Sequence, residues 1–164
     1  MGKVSIARVD ERLIHGQVMT SLSKRSGANA IFISDDDISK DEFMKTIFIS
    51  AGGRTGLSVK ILSIDDTIRY WEEKQFENFS VILLTKNIKS IYELIKKGLP
   101  VDELNLGGIA KRPSTTYVIK SVAIDKEAAQ MLKELNENYK VTVYFQTVPS
   151  SQKVDLSSAL KLFQ

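Results

Sequence analysis

Ser80 to Leu84 reads Ser-Val-Ile-Leu-Leu, a short apolar run with no polar residue alternating through it. A strand with one wet face alternates apolar and polar side chains. A run that is apolar at successive positions suits a strand covered on both faces, as at the centre of a parallel sheet. Other short, apolar-rich strand-length segments lie at Val4 to Val9, Ala30 to Ser34 and Leu57 to Leu62, and helically spaced apolar residues separate them. That alternation predicts an α/β protein with a parallel sheet between two helical layers.

The intervening segments carry helix signals. The first helix is predicted over about Gly16 to Lys24, with Gly27 near its end. Asp35-Asp36-Asp37 reads as an acidic loop. Ser39-Lys40-Asp41-Glu42 reads as a capping box for a helix that carries Phe43, Ile47 and Ser50 on one face and stops at Gly52-Gly53. Asp65 or Asp66 opens a helix carrying Ile68 and Trp71. Lys86-Asn87 leads into one with Ile88, Ile91, Tyr92 and Ile95 along one side, stopped by Gly98 and Pro100. A short strand from Glu103 to Leu106 ends at Gly107-Gly108. Val118 to Ile124 reads as one strand, Asp125 to Asn136 as a capped helix, Val141 to Gln146 as a strand and Leu156 to Phe163 as a final short helix. With 164 residues and no repeat or linker, the chain is expected to form one domain over 1–164.

Composition excludes several kinds of chemistry. The absence of cysteine removes disulfides and thiol nucleophiles, and a single histidine makes a zinc site a poor fit. The net charge of +3 comes from bases interspersed with acids, which argues against a nucleic-acid platform. No apolar run approaches the roughly 18 residues that span a bilayer, and the first residues lack the apolar core of a secretion signal. The expected location is the cytoplasm, with membrane association only through partners.

The one histidine, His15, follows the first predicted strand in Arg8-Val9-Asp10-Glu11-Arg12-Leu13-Ile14-His15-Gly16. In open parallel sheets, ligands bind beyond the carboxyl ends of the strands. The loops at Asp35 to Asp37, Lys86-Asn87 and Gly107-Gly108 therefore converge on the same edge as His15. A neutral imidazole attacks phosphorus and carries a labile phosphoryl group. Arg8 and Arg12 suit the phosphoryl oxygens, Gly16 lets backbone N–H groups approach them, and Asp10 orients an arginine or the imidazole. A purely structural ion-pair cluster of Arg8, Asp10, Glu11 and Arg12 gives the same letters. Asp35 to Asp37 makes a poor cation site and reads better as a solvated loop and helix cap. Gly107-Gly108 serves either a close approach to phosphate or a tight turn.

The segment Arg8 to Val18 resembles the active-site segment of IIB components of the bacterial sugar phosphotransferase system, in the mannose/fructose/sorbose family. The resemblance continues through Lys40-Asp41-Glu42, Asn105-Leu106-Gly107-Gly108, Val148-Pro149-Ser150 and Lys153-Val154-Asp155-Leu156. It implies a doubly wound, mostly parallel sheet of about seven strands. It implies that His15 accepts a phosphoryl group, on Nδ1 in this family, from a phosphohistidine of a IIA protein or domain. His15 then passes the group to a sugar as membrane IIC and IID components translocate it. Arg12 and Arg8 hold the phosphoryl group, Asp10 orients the loop, and no nucleotide or metal cofactor is implied. The sugar stays open among mannose, fructose, sorbose, N-acetylgalactosamine and others. Two further readings fit the residues: a regulatory histidine phosphoprotein that modifies no sugar, and a non-catalytic anion-binding module.

Overall fold

The computed structural model describes the backbone of residues 1–164 and every side chain except that of Gln17. Nine strands alternate with helices: β1 (Lys3–Asp10), α1 (Gly16–Ser26), β2 (Ala30–Ser34), α2 (Asp36–Ser39), α3 (Glu42–Gly53), β3 (Ser58–Leu62), α4 (Ile64–Lys74), β4 (Ser80–Thr85) and α5 (Ile88–Lys96). Then come β5 (Glu103–Gly108), β6 (Thr116–Ile119), β7 (Val122–Ile124), α6 (Lys126–Tyr139), β8 (Thr142–Phe145), β9 (Val154–Asp155) and α7 (Leu156–Leu160).

Seven strands form one sheet in the order β3-β2-β4-β1-β5-β8-β9, parallel except for β9 at the edge. The doubly wound, mostly parallel α/β fold expected from the sequence is the fold observed. Alternate residues of each central strand feed two cores. Phe32, Val81, Leu83, Val9, Leu104 and Leu106 pack with α4, α5, α6 and α7. Ile31, Ile33, Ile82, Leu84 and Ile6 pack on the other face with α1, α2 and α3. Hence the apolar run at 81–84: its side chains are buried on both sides.

The winding places the candidate loop. β1 crosses to β2 beneath α1, whereas β5 leaves in the opposite direction toward β8 on the other face. Chain exits of opposite direction leave a crevice between β1 and β5, at their carboxyl ends.

Four local expectations are corrected. The capping box does not form: Ser39 is the last residue of α2, and the Asp41 carboxylate caps α3 by accepting the Met44 N–H at 3.1 Å. Of the solvated loop and helix cap read at Asp35 to Asp37, the cap forms, with Asp35 accepting the Ile38 N–H, but Asp35 is buried and Asp36 and Asp37 begin α2 in place of a loop. Ser63, ahead of Asp65 and Asp66, caps α4. The single strand at Val118 to Ile124 is the antiparallel hairpin β6–β7, turning at Lys120-Ser121. On α3 the residues Phe43, Ile47 and Ser50 share one face as expected, and that face points outward, while Met44 and Phe48 pack on the core.

At the opposite end of the sheet, Gln75, Phe76 and Glu77 adopt left-handed backbone at φ 48°, 57° and 54°. Phe76 is fully buried there, with its ring 5.0 Å from Phe32 and 5.2 Å from Trp71. The Gly2 N–H donates to the Gln75 carbonyl and the Lys3 N–H to the Phe79 carbonyl, both at 3.0 Å, so this turn holds the start of β1.

Candidate active site

β1 ends in two residues of opposite charge on the α1 face, Arg8 and Asp10, both buried. The Asp10 carboxylate collects four donors. Arg8 Nη2 donates to Oδ2 at 3.0 Å. The Arg12 backbone N–H and Arg12 Nε donate to Oδ1 at 2.9 and 3.0 Å, and Arg12 Nη2 donates to Oδ2 at 2.9 Å. The Arg12 fork is bidentate, the geometry that fixes a guanidinium most firmly on a carboxylate. Burial pushes the Asp10 carboxyl up, but the hydrogen bonds from Arg12 and the nearby charge of Arg8 outweigh it and hold the group below the usual carboxylate value. The bond to Asp10 in turn raises Arg12.

The two arginines differ in access. Arg8 is 1% exposed. Beyond Asp10 it donates to the Asn105 Oδ1, to the Thr147 carbonyl at 2.7 Å and to the Gln146 carbonyl at 3.5 Å, and its Nε has no partner among the described residues. Burial lowers its pKa from the ordinary arginine value, although the charge of Asp10 works against that. Arg8 was expected to hold phosphoryl oxygens; here it has no face open to a ligand and instead ties β1 to β5 and to the segment after β8. The side chain of Arg12 is 49% exposed, and its Nη1 donates to nothing among the described residues.

Gly107 and Gly108 explain how Arg8 fits. A Cβ on Gly107 would overlap the Arg8 guanidinium, and one on Gly108 would lie 2.6 Å from Asp10 Oδ1. The β1–β5 register shifts between Val9↔Leu106 and Asp10↔Gly108, leaving Gly107 as an extra residue. Bulges of this kind re-aim side chains near functional sites. The pair is thus neither a phosphate cradle nor a simple turn: it makes room for the two buried ions. Ser121 in the hairpin turn donates to the Gly107 carbonyl at 2.9 Å and shares a hydrogen bond with Thr147 at 2.7 Å, which closes this network.

After Asp10 the loop turns sharply. The Leu13 N–H donates to the Asp10 carbonyl at 2.9 Å, with Leu13 at φ 59° and its side chain buried. A left-handed leucine is locally disfavoured, and burial in the α1-side core holds it. His15 then projects to solvent as the N-cap residue of α1; its carbonyl accepts the Met19 N–H, and its ring caps no N–H. The first-turn amides of a helix lack intrahelical partners and favour negative charge. Gly16, at that helix start, is exposed, and a Cβ there would meet nothing within 4 Å. The glycine is therefore not demanded by packing, and it leaves the approach to the helix end clear.

Of the loops expected to converge on His15, those at Asp35 to Asp37 and Lys86-Asn87 gather around Glu11 instead. Glu11 donates its N–H to the Gly108 carbonyl at 2.8 Å, and its carboxylate accepts the Ala110 N–H and pairs with Arg112. Glu11 and Arg112 then line a cleft of about 440 Å³ with Asp35, Lys86, Asn87 and Asp125, and His15 does not line it. The Glu11–Arg112 pair went unnoticed in the sequence, because nothing local links two residues so far apart.

Comparisons with known proteins show the family. Residues 4–164 match the family model described as PTS system sorbose subfamily IIB component. The sorbose-specific EIIB component of Lacticaseibacillus casei is 34% identical over 134 residues, covering 82% of this chain and 81% of that protein. The mannose-specific EIIAB component of Escherichia coli (strain K12) is 29% identical over 133 residues, covering 81% of this chain but 41% of that protein. The crystal structure of manxB from Thermoanaerobacter tengcongensis superposes with a TM-score of 0.90 at 38% identity, covering 98% of this chain and 96% of the other. The chain belongs to the sorbose-subfamily IIB components of the sugar phosphotransferase system. Such components are phosphotransferases that act in sugar uptake.

Proposed function

We propose that His15 is the phosphoryl carrier: it accepts the group from a phosphohistidine of a IIA protein or domain and delivers it to a sugar entering through membrane IIC and IID components. The observation that supports this most directly is the pairing of an exposed imidazole at the N-terminus of α1 with Arg12, a half-exposed guanidinium fixed by Asp10. The mannose-specific EIIAB relative, whose name joins A and B components, is in keeping with a IIA donor.

Phosphoryl transfer depends on in-line placement and on stabilising the equatorial oxygens. In the first step a His15 ring nitrogen attacks phosphorus, the donor's P–N bond breaks, and the donor imidazole leaves. In the second, a sugar hydroxyl attacks, the His15 P–N bond breaks and the hydroxyl proton passes to solvent or base. Arg12 presents Nη1 to the oxygens, and Gly16 leaves backbone donors accessible. Asp10 and Arg8 are positioning residues, with Asp10 aiming Arg12 and Arg8 holding Asp10. Among the described residues no helix is long and apolar enough to cross a membrane.

The test is intact mass after incubation with phosphoenolpyruvate, the general phosphotransferase proteins and a IIA protein. One acid-labile phosphoryl group is expected on the wild type and none on His15→Ala, which should stay folded because the replaced ring is exposed. A folded His15→Ala protein that still gains the group overturns the proposal. Phosphorylation without sugar phosphate, in membranes carrying IIC and IID, favours a regulatory phosphoprotein.

A further inference from the structure

β6 and β7 form a hairpin outside the seven-stranded sheet, between β5 and α6. Its burial comes from β7: Val122, Ala123 and Ile124 are buried, whereas Thr116 and Tyr117 on β6 are exposed. The Ile109 N–H donates to the Ser121 carbonyl at 2.9 Å and the Ala123 N–H to the Ile109 carbonyl at 3.0 Å, which fastens the hairpin to the end of β5. The stretch leading into it, Ala110 to Thr115, is mostly exposed and bonded to itself. The Arg112 N–H donates to Thr115 Oγ1 at 2.9 Å, Thr115 Oγ1 donates to the Arg112 carbonyl at 2.8 Å, and Lys111 Nζ donates to that carbonyl at 2.9 Å. The core needs none of these contacts, yet they give the stretch a defined shape.

That shape offers two groups to the loop that carries His15. One Glu11 carboxylate oxygen accepts the Ala110 N–H and the other accepts Arg112 Nη2, while Arg112 Nη1 donates back to the Ala110 carbonyl at 3.0 Å. Glu11, Ala110 and Arg112 thus close a ring. A lone exposed ion pair holds little in place. This one is restrained at both ends, because the carboxylate is bonded to a backbone N–H and the guanidinium to a backbone carbonyl. Glu11 is the first residue beyond β1 and directly precedes Arg12. The loop is therefore held from beneath by Asp10 and from the side by Glu11. Transfer in line between two imidazoles depends on such support, since small displacements of the reacting groups are costly.

Resting on the carrier function proposed for His15, we infer that Glu11 and Arg112 are positioning residues for phosphoryl transfer. Arg112, on the segment after β5, grips Glu11 and braces the loop that presents Arg12 and His15. Each acts through the loop and not on the phosphoryl group itself.

The experiment follows single-turnover phosphorylation of His15 by a phosphorylated IIA protein at several donor concentrations. It compares wild type, Glu11→Ala, Arg112→Ala, the double variant and Arg112→Lys. Each alanine variant should lower the maximal rate about tenfold, with the half-saturating donor concentration within about twofold of wild type. The double variant should be no slower than the worse single one, because both changes break the same ring. Arg112→Lys should fall in between, since an ammonium keeps the charge but lacks the fork. Thermal midpoints should stay within about 4 °C of wild type, as an exposed pair adds little to folding. A wild-type maximal rate in Arg112→Ala overturns the inference. So does an effect confined to half-saturation, which makes Arg112 a donor contact, and so does recovery of the full rate in the double variant, which makes the effect one of charge balance. Amide exchange at Arg12 to His15 needs no donor and should quicken in Arg112→Ala. If wild type never takes up the group, the carrier function fails; unchanged exchange in Arg112→Ala is what removes the brace, so the two failures are told apart.

Discussion

Arg8 and Arg12 share one carboxylate and are otherwise opposites. Arg8 is sealed between β1 and β5, with three protein oxygens besides Asp10 as acceptors. Arg12 uses Nε and Nη2 on the same Asp10 and keeps Nη1 free of protein partners among the described residues. The contrast teaches how a surface loop acquires a fixed cation. An exposed ion pair alone contributes little and wanders. Here the carboxylate is immobilised from beneath by a buried cation, so the exposed cation inherits a defined direction.

Removing the shared acceptor should have the largest effect. Asp10→Ala leaves the buried Arg8 charge unpaired and is expected to cost about 3–5 kcal/mol in denaturant unfolding, the range for breaking a buried ion pair. Next comes Gly107→Ala, which forces a methyl group onto the Arg8 guanidinium. Overpacking of this sort costs about 1–3 kcal/mol. Arg8→Gln in the Gly107→Ala background should then cost less than Arg8→Gln alone, because the two sites touch. Strict additivity would show that the glycine is not there for Arg8.

Acid gives a smaller, graded test. The Asp10 carboxyl is held below 3.8, its ordinary value, once Arg12 and Arg8 have outweighed burial. A depressed carboxyl adds stability that is fully present above the unfolded-state value and is lost as pH falls through the folded-state value. Denaturation midpoints measured downward from about pH 5 should therefore drop more steeply for wild type than for Asp10→Asn. Parallel curves would remove Asp10 from the acid transition. The smallest stability effect belongs to Arg12→Gln, about 1 kcal/mol or less for a half-exposed side chain. Its transfer rate should fall at least tenfold. A stability loss matching that of Asp10→Ala would abolish the division of labour between the two arginines.

The fold was legible because burial on both faces leaves a mark in the strands themselves: Ala30–Ser34 was read to the residue, and β1 and β4 to within one. The location of His15 after β1 followed from the same pattern. Arg8 was misread because the letters Arg-Val-Asp-Glu-Arg do not say where the strand stops. β1 runs through Asp10, so Arg8 lies inside the sheet and Arg12 beyond it. Nor does local sequence say that β5 lies beside β1, which is what makes Gly107 the partner of Arg8. Phe43 and Ile47 obey helical spacing, and periodicity alone assigns such residues to a core. Only the packing of Met44 and Phe48 on the sheet shows that the apolar stripe has a second, uncovered side. The hairpin at Lys120-Ser121 lacks the Asn-Gly or Asp-Gly turn that advertises a reversal, and β9 is two residues long, too short for any period.

The left-handed turn at Gln75 to Glu77 has a consequence in time rather than in energy alone. Left-handed backbone costs roughly 1–2 kcal/mol per residue without glycine, so this segment has no stable existence apart from the aromatic cluster that receives Phe76. Chain ends ordinarily fray and exchange their amide protons quickly. Gly2 and Lys3 are bonded to the Gln75 and Phe79 carbonyls, and those carbonyls are in place only while the cluster is intact. Their amide protons should exchange with the slow set of the β1 and β4 interior, making the second and third residues reporters of the opening of the whole sheet.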